Sequence, residues 1–203
     1  MKIEVLHHAS IKLTGNKIIY IDPYNIKSSE KDADYIFITH DHYDHYDEES
    51  IKNISNEKTK LIVPKCLEGK NESLTVEENK EYQIDDIYFQ TIPSYNINKA
   101  FHPKNKGYVG YNILLEDEYY YIMGDTDRTP ESDEVKTDVC FVPIGGTYTM
   151  NVEEAASYIN DLNPKMAIPI HYGSIAGDIS FGKEFKSKIN KNIEVKLLLE
   201  EEK

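Results

Sequence analysis

The sequence predicts an α/β domain in which two β-sheets pack together with helices on the outside. Three observations carry this expectation. Short β-rich runs come first and helices follow sparsely, and this order occurs twice along the chain. Residues 35–39, Tyr-Ile-Phe-Ile-Thr, are almost continuously apolar, as a strand buried on both faces must be. The chain has 203 residues, 39% of them hydrophobic. A single core of that size buries roughly 70% of the unfolded surface. One domain over residues 1–203 is therefore expected.

The elements follow in order. Residues 3–6, 10–13 and 17–21 read as strands, with Gly15-Asn16 as the turn between the last two and Asp22-Pro23-Tyr24 ending the third. A polar His/Asp segment follows the buried strand, and then a helix over 48–54. Asp47 suits its N-cap, and Glu48 and Glu49 suit the positive end of the helix dipole. Residues 60–63 form a strand stopped by Pro64. Strands at 83–84, 87–92, 109–115 and 119–123 alternate with charged turns. The polar segment 96–107, with Pro103 and Gly107, reads as a functional loop. Residues 139–142 are a strand ended by Pro143. A helix then starts at N-cap Asn151, carries Ala155, Ala156, Ile159 and Leu162 on its apolar face, and stops at Asn163-Pro164. A strand at 166–170, a helix at 182–189 and a strand at 194–199 complete the chain.

Charge and cysteine content exclude several classes. Lys plus Arg total 23 against 36 for Asp plus Glu, a formal charge of −13. Nucleic acids and anionic membranes require basic stripes, so neither partner is expected. No apolar run is long enough to span a membrane, and Met1-Lys2-Ile3-Glu4-Val5 lacks the apolar stretch of a signal peptide. The expectation is a soluble cytoplasmic protein acting on a small molecule, with homo-oligomers left open. Cys66 and Cys140 read as two buried thiols and exclude a Cys-x-x-Cys zinc clip.

The chemistry concentrates in Thr39-His40-Asp41-His42-Tyr43-Asp44-His45-Tyr46-Asp47. Three histidines fall within six residues, directly after a buried strand. His40 and His42, two apart, point the same way from an extended loop. Asp44 and His45 come after enough chain to face a second point. Imidazole suits zinc, iron, nickel and copper, and carboxylate adds hardness and charge. The loop thus offers two ligand pairs for two ions. Asp125, after the strand ending Met123-Gly124, has two oxygens with which to bridge them. His171 directly follows the strand at 166–170.

With His8-Ala9-Ser10, Ile21-Asp22-Pro23 and Pro143-Ile144-Gly145-Gly146, these motifs make nearly the whole chain resemble the metallo-β-lactamase superfamily of metal-dependent hydrolases. Within it the chain looks most like the small lactonase-like branch, which includes the ascorbate-6-phosphate lactonase. The resemblance implies a four-layer αβ/βα sandwich of two mixed sheets, with metals at one edge between them. It implies metal 1 on His40 and His42, metal 2 on Asp44, His45 and His171, and Asp125 bridging. A hydroxide between the ions would be the nucleophile. Two divalent ions are expected, zinc first, with manganese or iron as alternatives.

One position departs from the family. Where the superfamily supplies a third histidine to metal 1, after Gln90-Thr91-Ile92-Pro93, this chain has Ser94-Tyr95-Asn96. Either Asn96 completes metal 1 through a weak carbonyl ligand, or His102 swings in, or His102 contacts substrate instead. A weaker metal 1 site is expected. The candidate catalytic residues are Asp44, His8 and His102, with Asp22 orienting a ligating histidine. Gly145-Gly146-Thr147 either presents N–H groups to an anion or makes a tight turn. Lys104 and Lys106 either meet an anionic substrate or are solvated, and Tyr148 and Tyr172 either line the pocket or pack. The expected function is hydrolysis of a small anionic ester, lactone or phosphoester. The alternative is the same fold with a degenerate metal site and a non-catalytic or oxidoreductase role. The acid excess argues against a nuclease.

Overall fold

The structure is a computed structural model that describes residues 1–70 and 73–199. Two mixed sheets face each other. The first contains β1 (Lys2–His7), β2 (Ser10–Thr14), β3 (Ile18–Ile21), β4 (Tyr35–Phe37), β5 (Lys60–Pro64) and β6 (Leu74–Val76), in spatial order equal to chain order. Its β1–β3 pairings are antiparallel and its β3–β6 pairings parallel. The second contains β7 (Glu81–Ile84), β8 (Ile87–Pro93), β9 (Val109–Leu115), β10 (Glu118–Ile122), β11 (Val139–Pro143), β12 (Met166–Ile170) and β13 (Glu194–Val195), again in chain order. It too is antiparallel through β10 and parallel from β10 to β13.

Parallel neighbours need crossover connections, and the helices ride in them. They are α1 (Glu48–Ile54) after β4, α2 (Pro130–Asp133) after β10, α3 (Val152–Leu162) after β11 and α4 (Phe181–Lys188) after β12. The pleat then sorts the apolar side chains. Tyr35 and Phe37 of β4 join Phe89, Tyr111 and Phe141 between the sheets, while Ile36 faces out with Ile51 and Ile54 of α1. In β11, Val139 and Phe141 point inward, and Cys140 and Val142 point to Ala155, Ala156 and Ile159 of α3. The layers are therefore α1, first sheet, second sheet, then α3 with α4, the expected sandwich. Strands covered on both faces explain the uninterrupted apolar runs.

The helix termini follow the sequence signals. The Asp47 carboxylate accepts the Glu49 N–H at 3.1 Å. Asn151 and Glu154 cap each other reciprocally at 2.9 Å, and Asn163 ends α3 at φ +53°. The last strand is shorter than expected: after Val195 the chain leaves the sheet, keeping only the Lys196 N–H to the Ala167 carbonyl at 3.2 Å. Strand β4 also ends early, because Asp22 captures the backbone N–H of Thr39. The edge strand β6 and the short helix α2 were not among the expected elements, although α2 has a start signal in Thr129-Pro130, an N-cap followed by proline. Cys140 is buried, but Cys66 is only partly so. Among the described residues, no helix is long and apolar enough to cross a membrane.

Phe141 has no exposed surface and sits at the centre of the inter-sheet core. Phe141→Ala is expected to lower the unfolding free energy by about 3–5 kcal/mol in urea titrations. Asn151→Ala should cost only about 1 kcal/mol, the loss of one cap.

Candidate metal centre

Five connections meet at one edge of the sandwich. They are the β1–β2 turn with His8, the histidine loop after β4, the loop after β8, the turn after β10 with Asp125, and the turn after β12 with His171. Two backbone hydrogen bonds draw the sheets together here. The His171 N–H donates to the His8 carbonyl at 3.0 Å, and the Val109 N–H to the Thr39 carbonyl at 3.1 Å.

The local backbone is strained where the side chains converge. His8, Asp22 and His171 take φ of +49°, +46° and +59°, a region L-residues with bulky side chains rarely enter. Gly145 is required by proximity: a Cβ there would lie 2.3 Å from the His171 carbonyl oxygen. The N–H groups of Gly146 and Thr147 are spent on Met150 and Gly145 carbonyls at 3.1 Å each. This segment is the tight turn, not an anion cradle.

The donor atoms fall into two groups, each with all atoms within 4.8 Å of one another. His8, Asp44, His45 and His171 form one; His40, His42, His102 and Asp125 form the other. All are buried except His42, which is partly exposed. Asp125 reaches both groups. Its Oδ1 is 3.3 Å from His45 Nε2, and its Oδ2 is 2.9 Å from His171 Nε2 and 3.9 Å from His40 Nε2. Asp44 Oδ2 lies 3.4 Å from His8 Nε2, 3.8 Å from His45 Nε2 and 3.9 Å from His171 Nε2.

Asp22 sets the orientation of two of these histidines. Its Oδ1 accepts the Thr39 N–H at 2.7 Å, and its Oδ2 accepts the Thr39 hydroxyl at 2.7 Å and His45 Nδ1–H at 2.7 Å. A carboxylate only accepts, so His45 must carry its proton on Nδ1. The single Thr39 hydroxyl proton goes to Asp22, so Thr39 Oγ1 accepts from His40 Nδ1 at 2.8 Å. Both rings thereby turn Nε2 toward the centre. On the other side, Ser174 Oγ lies 3.3 Å from His8 Nδ1 and leaves its Nε2 facing Asp44. Sequence reading missed Thr39 and Ser174. Thr39 had one available signal, its place immediately before His40 at the strand end.

Burial and charge set the protonation states of the metal-free protein. Burial, with His45 and His102 nearby, holds His40 well below the usual imidazole range. Burial also pushes His8 down to about 4 and His102 down to about 3, so both are neutral bases. Burial opposes a charge on His45 as well, but the flanking carboxylates of Asp125 and Asp22 outweigh it and raise His45 well above 6.5. Burial likewise opposes ionisation of Asp125, yet His171 and His45 keep it well below the usual carboxylate range.

The loop after β8 folds back on itself. The Asn96 N–H donates to the His102 carbonyl at 2.7 Å, and Asn96 Oδ1 accepts the His102 N–H at 3.2 Å. Asn96 Nδ2 reaches the Asp125 carbonyl at 3.4 Å. The Asn96 carboxamide thus makes its bonds within the loop and to the Asp125 backbone. His102 is the residue carried inward, its ring 4.2 Å from that of His40 and 4.9 Å from that of His42. Tyr148 borders the cavity above the donors, whereas Tyr172 is buried against α3 and α4. Lys104 is turned away, to Glu131 Oε1 at 2.7 Å.

Imidazole nitrogens with carboxylates are the donor set of a divalent transition ion. The fit is visible in orphaned atoms. Among the described residues, Nε2 of His8, His40 and His45, both ring nitrogens of His102 and Oδ1 of Asp125 are buried without a hydrogen-bond partner. Asp22→Asn would leave one acceptor oxygen for three donors and turn an NH2 group on the Thr39 N–H or on His45 Nδ1–H. It is expected to weaken zinc binding by about 10–100-fold in a chelator competition, with the circular dichroism spectrum unchanged.

The comparisons with known proteins agree with this geometry. Residues 2–171 match the family described as the beta-lactamase superfamily domain. A UPF0173 protein of Pyrococcus abyssi is 30% identical, with 94% of this chain and 91% of that protein covered. A UPF0173 metal-dependent hydrolase of Pyrococcus horikoshii is 28% identical, over 98% and 96%. Among solved structures, one described as a metal-dependent hydrolase of Parabacteroides distasonis superposes with a TM-score of 0.85 at 28% identity, covering 98% of this chain and 93% of that one. The convergent His/Asp donors, the paired mixed sheets and this match along most of the sequence lead to one assignment: the chain belongs to the β-lactamase superfamily.

Proposed function

We propose that this metal-dependent hydrolase holds two divalent ions and cleaves a small ester, lactone or phosphoester with water. The observation that carries the reading is Asp125, whose two oxygens reach both donor groups. In this reading metal 1 is held by His40, His42 and His102, metal 2 by Asp44, His45 and His171, with Asp125 between them. Such ions, when bound, supply a water that ionises near neutral pH and a Lewis acid for the carbonyl or phosphoryl oxygen. Zinc is the ion we favour, with manganese or iron as alternatives. Residues 1–203 act as one domain, because both sheets contribute donors and share one core.

The protein's own groups divide the remaining work. Asp22 and Thr39 hold the Nδ1 sides of His45 and His40, so their Nε2 atoms face the centre. His8 presents a neutral Nε2 beside Asp44, positioned to take or return a proton next to metal 2. Asp44, a ligand in this reading, has its Oδ2 3.4 Å from that nitrogen. The degenerate-site alternative rested on the missing third histidine, and His102 beside His40 and His42 weighs against it.

His42→Ala and Asp125→Ala are each expected to reduce turnover of generic lactone and phosphodiester substrates by about 100-fold or more, with the fold intact by circular dichroism. Elemental analysis should show two ions per wild-type chain and at most one in His42→Ala. Full activity in a one-ion variant would overturn the two-metal reading.

A further inference from the structure

The cavity over the donor groups, about 430 Å³, has an unusual wall. Its floor is made of metal-centre side chains, but its rim is Tyr43, Phe101, Tyr148 and Ile175. Tyr43 is 65% exposed, Phe101 48% and Ile175 36%. Six large apolar side chains among the described residues are exposed, and three of them meet at this mouth. They arrive from separate loops: Tyr43 from the histidine loop, Phe101 from the loop after β8, and Ile175 from the segment after β12. Tyr148, from the turn after β11, meets the Phe101 ring edge-on at 4.8 Å. Exposed apolar groups gathered around a concave polar floor mark a ligand surface.

The charges point the same way. Among the described residues, no lysine or arginine lines the cavity. On the adjacent loop Lys99 is paired with Asp127 Oδ1 at 2.7 Å and Lys104 with Glu131 Oε1 at 2.7 Å, and the exposed Lys106 does not line the cavity. The one charged wall residue outside the donor groups is Asp41, which accepts the Tyr108 hydroxyl at 2.7 Å. A phosphate on the non-reacting part of a substrate would meet this carboxylate and no lysine or arginine.

We infer that the Tyr43, Phe101, Tyr148 and Ile175 wall is a subsite for an uncharged aromatic or aliphatic group of the substrate. The protein then prefers neutral acyl or aryl esters and lactones to phosphorylated ones. This rests on the hydrolase reading above and replaces the anionic substrate expected from the sequence.

The test uses the zinc-loaded full chain and reads binding and turnover separately. For binding, acetohydroxamate and benzohydroxamate share a zinc-seeking head and differ in the ring. Benzohydroxamate is expected to bind about 10-fold tighter by calorimetry, and Phe101→Ser should collapse that ratio while Phe101→Leu largely keeps it. For turnover, a phenyl-substituted lactone is compared with the same lactone bearing a phosphate, the phenyl compound being expected to have the higher kcat/KM. Equal binding of the two hydroxamates, or a faster phosphorylated lactone, overturns the inference. So does a hydroxamate ratio unmoved by Phe101→Ser; if light scattering also shows a dimer that this change dissociates, the patch is covered by a second copy. A ring-dependent hydroxamate preference with no lactone turnover supports the subsite and counts against the hydrolase reading instead.

Discussion

The site depends on one buried carboxylate. Asp22 is almost wholly removed from solvent, and burial raises the cost of its charge. Three donors satisfy it: the N–H and hydroxyl of Thr39 and Nδ1–H of His45. These bonds join the end of β3 to the histidine loop after β4. They also reach His40 through Thr39, so one carboxylate orients a ligand candidate in each donor group. The left-handed backbone at Asp22 is tolerated because this network over-determines it.

Around this hub the two sheets are held at a fixed separation by their shared aromatic and aliphatic core. Phe37, Phe89 and Tyr111 pack edge-on with ring centres 5.0 to 5.8 Å apart directly below the site. The Tyr111 hydroxyl donates to the Ile38 carbonyl at 2.7 Å, satisfying backbone where β4 has ended. Rigid strands thus present short turns, and the turns carry the donors. Preorganisation of this kind matters because an ion tolerates little error in ligand placement.

The acid excess takes on a local meaning. Asp22, Asp44 and Asp125 belong to the centre, where divalent charge would balance them. Away from it, Lys99 and Lys104 of the loop after β8 are neutralised by partners of their own. The cavity is therefore polar at its floor and apolar at its rim. The proposed ligands and the proposed substrate wall are thus different side chains of one cavity.

Much of this was legible in the chain itself. Alternating and continuous apolar runs gave both sheets, the caps at Asp47 and Asn151 located α1 and α3, and the spacing of His40, His42, Asp44 and His45 marked the centre. These features are local, set by side-chain period and by neighbours a few residues apart. Other features were decided only by tertiary structure. The His102 ring comes beside those of His40 and His42 because the loop after β8 doubles back, with the N–H and Oδ1 of Asn96 bonded to the His102 backbone. His8 joins Asp44 and His171 because β1 and β12, at opposite ends of the sequence, come together across the sheets. The apolar rim draws on four separate loops, and Gly145 is a glycine because the His171 carbonyl passes close to it. Each of these depends on contacts between residues distant in sequence, where local pattern carries no distance information. The sequence determined the sandwich and the donor-rich loop; only the folded chain decided which distant side chains stand beside that loop and which line the cavity above it.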